Sequence, residues 1–398
     1  STWESIPIRL REQLVTDNIH DPGFLRCIAS SFPAWLNELE VEEAYLQRYE
    51  SLANDWIARI SEPSDHGAAD LRRIYLANAN VIGITCSQAA NLGPGQEFDV
   101  VIIDEVSKCT PPELMMPALK GKKLVLVGDH RQLPPMIDDK TIEDLATDAG
   151  MGVEELSFIK TSMFNTLYIS AADRIKQDLK VQYRMHPSIM GVINQFYDHQ
   201  LKCGITDAEK VRAHGLECQA LKDSQHIVWV NTPLAPEYRE QAEGTSFFNQ
   251  KEIDSIKQIC KQIDTAWASH VARGAGQKEI AIITFYLPQL RKIREQIRAG
   301  DYPNLNIRTG TVDRFQGMER PVVIVSLVRN NSQGSVGFAK SPERVNVAFS
   351  RAQELLMIVG CRELFVNNAP VAARKIYQEV SDEVRRHGGV KDVSDFCR

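Results

Sequence analysis

Seven short runs of β-branched and aliphatic residues constrain this chain more than any other feature. They are Val81–Thr85, Val100–Ile103, Leu124–Val127, Ile227–Val230, Ile280–Thr284, Val322–Val328 and Leu355–Val359. Each is too short for a buried helix and lacks the apolar–polar alternation of a half-exposed strand. Such runs suit strands buried on both faces, the texture of a parallel α/β sheet. A long polar and helical stretch, about residues 138 to 180, separates two groups of runs. The spacing therefore predicts two α/β domains in tandem, over 71–170 and 171–398, behind a helical N-terminal segment at 1–70. That segment carries helix-forming stretches at Ala44–Tyr49 and Trp56–Ile60, and the breaker cluster Glu62–Gly67 ends it. The loops Asn91–Gln96 and Asn330–Ser341 are rich in Gly, Asn and Ser and read as mobile connections.

Composition excludes several classes. The 398 residues are 43% hydrophobic and 25% charged, the balance of a globular protein. No apolar run approaches the roughly 18 residues of a membrane span, and the start carries no signal-peptide pattern. The eight cysteines include no C-x-x-C pair, which argues against zinc and for a reducing compartment, the cytoplasm or a nucleus. A formal net charge of -6 rules out a wholly basic surface, so any nucleic-acid groove must be local.

In an open parallel sheet, ligands gather at the carboxyl ends of the strands. The run ending at Ile103 delivers Asp104 and Glu105 there. Two adjacent acids on a strand tip suit a nucleotide-hydrolysing site. The first would hold Mg²⁺ and the second would orient or deprotonate a water. The other reading is that they cap a helix. The next run ends in Gly128-Asp129-His130-Arg131-Gln132-Leu133-Pro134-Pro135. Gln132 carries an amide that both donates and accepts, suited to holding a water beside a phosphate.

Together these segments resemble motifs II and III of the superfamily 1 helicases, nearest the branch of the nonsense-mediated-decay RNA helicase and its bacterial relatives. Three further stretches follow in the family's order. Val181-Gln182-Tyr183-Arg184-Met185-His186-Pro187 resembles motif IV, Thr311 to Glu319 motif V, and Arg344 to Ala352 motif VI. The resemblance covers about residues 80 to 360. It implies two RecA-like domains with ATP and Mg²⁺ in the cleft between them. Tyr183 would stack on adenine, Arg184 and Arg351 would act as arginine fingers, Glu319 would meet the ribose or phosphates, and Gly317 would let backbone approach the ligand. A planar cation with several donors suits charge spread over phosphate oxygens. Motif VI reads as a helix carrying Arg344 and Arg351 on nearly one face. The alternative for it is an exposed basic stripe.

The same resemblance implies a single-stranded DNA or RNA path across both domains, with 5′ to 3′ movement. Candidates for contacting it are Thr85, Ser87, Thr284, Tyr286, Thr311, Asp313, Ser326 and Arg329. Where relatives tend to have Thr-Pro-Tyr and a basic residue, this chain has Thr284-Phe285-Tyr286-Leu287. A larger departure is that no G-x-x-x-x-G-K-[ST] occurs in these residues. The expectation is a piece of a longer motor whose first domain is incomplete here and whose phosphate loop lies upstream. The N-terminal helical segment would be an insertion in that domain, or a plain helical bundle. The rival class is an ATPase-deficient module that only clamps nucleic acid or a protein. A GTPase or kinase built on paired acids leaves the arginines of motifs IV and VI unexplained.

Overall fold

The computed structural model describes residues 22–61, 74–76, 78–93, 95–218 and 220–396. The breaker cluster Glu62–Gly67 and the first 21 residues lie outside these. The chain divides into two compact units, Ser1–Thr85 and Cys86–Arg398. In the first, one helix runs from Pro22 to Ser61, with Tyr45, Leu46, Tyr49 and Ile57 exposed along it. No helix among the described residues is long and apolar enough to cross a membrane.

The expected strand Val81–Thr85 does not form. The segment is irregular, and Val81 and Ile84 are exposed. A strand exists only through pairing, and no described strand pairs with this one.

The second unit begins with a two-stranded parallel sheet, β1 (Phe98–Ile103) beside β2 (Gly121–Leu126). The crossover between them is the helix Pro111–Ala118. Thr110 opens it with a capping box: its hydroxyl accepts from Glu113 N–H, while Glu113 accepts from Thr110 N–H. Two helices follow, Asp139–Ala149 and Met163–Ser170. A short parallel pair comes next, β3 (Val181–Gln182) with β4 (Lys202–Cys203).

The main sheet has six parallel strands: β5 (Ile227–Asn231), β8 (Lys278–Thr284), β9 (Leu305–Thr311), β10 (Arg320–Ser326), β11 (Ala352–Gly360) and β12 (Val390–Asp392). Their spatial order is β12-β5-β11-β10-β8-β9. A small hairpin, β6 (Gln241–Glu243) with β7 (Ser246–Phe248), stands apart.

The apolar runs are continuous because both faces of this sheet are covered. Trp229, Ile283, Val325 and Ile358 point into one core, filled from the helices Pro187–Ile193, Pro342–Phe349 and Val371–Arg386. Their neighbours Val228, Ile282, Ile324 and Met357 point into the other, filled from Gln250–Ala272 and Leu287–Gln296. All eight are fully buried. The alternation is geometric, and it leaves no polar face to show in the sequence.

Candidate active site

β1 ends where Asp104 and Glu105 begin, and both acids are exposed. Glu105 takes a left-handed conformation, φ 53° and ψ 32°, and its N–H donates to Asp104 Oδ1 at 2.8 Å. The turn Val106–Lys108 follows, with Lys108 N–H returning to the Glu105 carbonyl at 3.1 Å. Glu105 faces the motif V loop. A Cβ placed on Gly317, whose φ is +79°, would stand 3.7 Å from Glu105 Oε1. Burial lowers the affinity of the Lys108 amine for its proton, and Glu105 and Asp313 oppose that effect while Arg351 adds to it.

β2 leads into the Gly128–Gln132 loop. Asp129 organises it, accepting from Arg131 N–H at 2.9 Å and from the Gln132 amide at 2.9 Å. The same carboxylate accepts from the Tyr197 hydroxyl at 2.5 Å, which in turn accepts from the Asn346 amide at 2.9 Å. Arg131 donates to the Phe196 carbonyl at 2.6 Å and to Asp198 at 2.5 Å. This network joins the β1–β2 part of the unit to the six-stranded part. In the sequence, Asp129, Tyr197 and Asn346 carry no role of their own; Asp129 sits inside the Gly-Asp-His-Arg-Gln run and Asn346 inside motif VI, and nothing marks Tyr197.

The arginines converge from the other side. Arg184 donates to Glu319 Oε2 at 2.6 Å and to the Ser350 carbonyl at 3.4 Å. Gln353 donates to the other Glu319 oxygen at 2.7 Å. Arg351 is 1% exposed. It donates to the carbonyls of Val347 and Met318 at 3.0 and 3.2 Å, to Ser350 Oγ at 2.8 Å and to Gln132 Oε1 at 3.4 Å. Every acceptor is neutral. Burial, with Arg184 beside it, pushes its guanidinium down to about 10, against a smaller opposing pull from Glu105. Gln316 is buried nearby with both amide atoms unpartnered among the described residues. Ser107 Oγ is also buried without a partner, lining a cavity of about 380 Å³ with Gln132, Asn165 and Arg344.

Motif VI corrects the expected geometry. The helix runs only from Pro342 to Phe349, and Arg351 lies past its end, one residue before β11. Arg344 and Arg351 therefore do not share a helix face. Arg344 instead lies 3.8 Å from Asp313. The exposed-stripe reading fails for Arg351, which is buried. Tyr183 is 67% exposed beside the cleft, its ring resting over Gly204, where any Cβ would come within 2.4 Å.

The nucleic-acid candidates divide. Ser326, Thr284 and Thr311 lie side by side across the carboxyl ends of β10, β8 and β9. Thr284 and Ser326 are fully buried there, and Thr311 nearly so. Ser326 donates to Glu252 at 2.6 Å, and Arg329 is paired with Glu240 at 3.0 Å over the Phe247 ring. Tyr286 is 3% exposed, its hydroxyl accepting from Arg329 and from Phe338 N–H. As placed, it offers no open ring face for a base. At the start of the Asn330–Ser341 loop, Asn330 and Asn331 are buried and tied to Glu240. Thr85 and Ser87 are exposed.

Two families described as AAA domain match this chain, over residues 29–140 and 159–363. The second match alone covers about half of it. The chain belongs to the superfamily 1 helicases, related to the nonsense-mediated-decay branch. A regulator of nonsense transcripts 1 homolog from Neurospora crassa is 33% identical over 295 residues, 72% of this chain and 25% of that protein. An ATP-dependent helicase of Saccharomyces cerevisiae is 31% identical over 72% of this chain and 28% of its own length. An uncharacterized ATP-dependent helicase of Methanocaldococcus jannaschii is 29% identical over 83% and 45%. The helicase-family chain thus spans from a quarter to under half of these three relatives.

Proposed function

We propose that this superfamily 1 chain carries most of an ATP-driven translocase that moves 5′ to 3′ on single-stranded DNA or RNA, in the cytoplasm or a nucleus. The observation that carries the reading is Arg351. A buried guanidinium with only neutral partners is costly to keep, and a phosphate arriving beside it would supply the missing charge. Glu105, Gln132, Arg184 and Glu319 surround the same cleft. The unpartnered Gln316 amide and the side-chain-free approach at Gly317 leave polar capacity for a nucleotide. Asp104 would hold Mg²⁺, which takes carboxylate oxygen readily. Bound Mg²⁺ would neutralise phosphate charge, while Glu105 would orient or deprotonate the attacking water. Turnover would also need a phosphate-binding loop, and these 398 residues contain no Walker A sequence. The exposed Ser87 and Thr85 would meet the strand's backbone.

The test uses protein expressed from the complete reading frame. Arg351→Ala should cut nucleic-acid-stimulated ATPase by roughly 10³- to 10⁵-fold, the worth of arginine fingers elsewhere. Nucleotide binding should fall far less, because such a group acts on charge developing in the transition state. Arg351→Lys should not restore turnover, since one ammonium cannot reproduce the planar fork. Loss of single-strand binding with basal ATPase intact would instead make motif VI a backbone clamp.

A further inference from the structure

Cys86 and Cys109 lie with their sulfurs 3.8 Å apart, both reduced and both half-buried. They are 23 residues apart in sequence and stand at two junctions. Cys86 opens the turn Ser87–Asn91, its carbonyl accepting from Ala89 N–H at 3.1 Å. Cys109 closes the turn Val106–Lys108, donating to the Val106 carbonyl at 3.1 Å, and directly precedes the capping box of Thr110. Both side chains pack on the small core of Ile103, Val106, Leu114 and Phe164.

We propose that Cys86 and Cys109 are a modification site, a thiol pair that a peroxide converts to a disulfide tying the start of the Ser87–Asn91 turn to the motif II loop. A disulfide is about 2.05 Å long, so the sulfurs must close by a little under 2 Å, within reach of side-chain rotation. The neighbourhood assigns the order of events. Burial, with Cys86 adjacent, pushes the Cys109 thiol up to about 12, so it stays protonated at neutral pH. Cys86 is then the sulfur that attacks. Its thiolate forms a bond to one peroxide oxygen as the O–O bond breaks, and the departing hydroxide takes a proton to become water. The resulting Cys86 sulfenic acid is attacked by Cys109 sulfur, which gives up its proton. The S–S bond forms, the S–O bond breaks, and a second water leaves. Two thiols have lost two electrons and two protons, and one hydrogen peroxide has become two waters. In a reducing compartment such a bond is transient, the behaviour of a sensor and not of a structural staple.

The consequence for motif II follows from the chain. Cys109 is four residues from Glu105, and the turn between them is held by the Lys108 and Cys109 N–H bonds. Tying Cys109 to Cys86 therefore fixes the turn that carries the paired acids. This last step rests on the proposed ATPase reading; formation of the bond does not.

The experiment treats the protein from its complete reading frame with hydrogen peroxide, alkylates it, and maps its peptides by mass. We expect one cross-linked peptide pair joining Cys86 to Cys109, lighter by two hydrogens and released by dithiothreitol. Cys109→Ala should leave Cys86 as a sulfenic acid that dimedone traps. Cys86→Ser should leave Cys109 unoxidised under the same dose. Hydrogen exchange over 106–109 should slow in the oxidised wild type and not in either variant. Both cysteines free after oxidation, or either one joined to a different cysteine, overturns the proposal. ATPase is followed in parallel: wild type should lose most of its turnover on oxidation and regain it on reduction, while Cys109→Ala should not. Absence of ATPase in the reduced protein would count against the motor reading and leave the peptide map to decide the thiol pair.

Discussion

Glu105 is an unbranched acid held in the left-handed region, a conformation costing roughly 1–2 kcal/mol for a residue with a Cβ. The strain sits where the strand must turn two acids toward the cleft at once, the kind of site where such conformations persist. Glu105→Gln keeps the shape and the backbone cost but cannot accept a proton. In the complete protein it should retain nucleotide binding and lose roughly 10²- to 10⁴-fold in turnover, the usual worth of a general base. Steady-state ATPase beside nucleotide binding checks this, and turnover near wild type would reject the assignment. Tyr197 offers a separate test. Its hydroxyl bridges Asp129 and Asn346, so Tyr197→Phe should destabilise by about 1.5–3 kcal/mol in chemical denaturation, the worth of a hydrogen bond to a charged group. Asp104 and Glu105 stand out in the sequence as paired acids closing an apolar run, and Arg351 only through the motif VI resemblance. The contact of Tyr197 with Asn346 does not stand out. Tyr197 meets partners 68 and 149 residues away, and although Asn346 lies in motif VI, nothing local says that the two will meet.

At the scale of elements, six of the seven apolar runs became strands, but only the four in the main sheet are buried on both faces. Those of β1 and β2 leave Val100, Ile102, Leu124 and Val125 exposed, against the expectation of two-sided burial. Val81–Thr85 has the same composition, yet no strand among the described residues pairs with it, which composition alone does not reveal. Motif VI failed in a related way. A helix of eight residues satisfied its own spacing and stopped, so the seven-residue offset from Arg344 to Arg351 lost its meaning. Tight packing between elements was also invisible. Gly389 enters β12 with its carbonyl accepting from Trp229 N–H at 2.8 Å, and a Cβ there would come within 2.0 Å of the Ile227 carbonyl oxygen. Gly389→Ala should therefore push β12 off β5 and destabilise by about 1–3 kcal/mol, the range of overpacking. Gly300→Ala meets nothing within 4 Å and is the control. Equal denaturation midpoints for the two variants would contradict this account.

For the whole molecule, three buried groups shape the response to pH. Burial pushes the imidazoles of His186 and His214 down to about 4 from 6.5, with His226 adding to the effect on both. Their contribution to stability is complete above pH 6.5 and is lost as pH falls through 4. Burial pushes the Glu252 carboxyl up to about 8 from 4.5. Its contribution is complete below pH 4.5 and is lost as pH rises through 8. Below 6.5 two groups oppose one and stability rises with pH; above it only Glu252 titrates and stability falls. Melting temperature should peak near pH 6.5. Glu252→Gln should flatten the alkaline limb and leave the acid limb in place. An alkaline limb unchanged in that variant would exclude Glu252 as its cause.

The order of the main sheet also bears on how the protein is made. β5 lies between β11 and β12, and both are synthesised after it. At ribosomal rates of about 5–20 residues per second, roughly 6 to 26 seconds pass between the emergence of β5 and of β11. Through that interval Ile227, Val228, Trp229 and Val230 have neither edge paired. A nascent chain arrested before residue 352 would present this strand with its edges open, a template for pairing with a second chain. Chaperone occupancy on translating ribosomes should accordingly rise once β5 is out and fall only when β11 has cleared the tunnel.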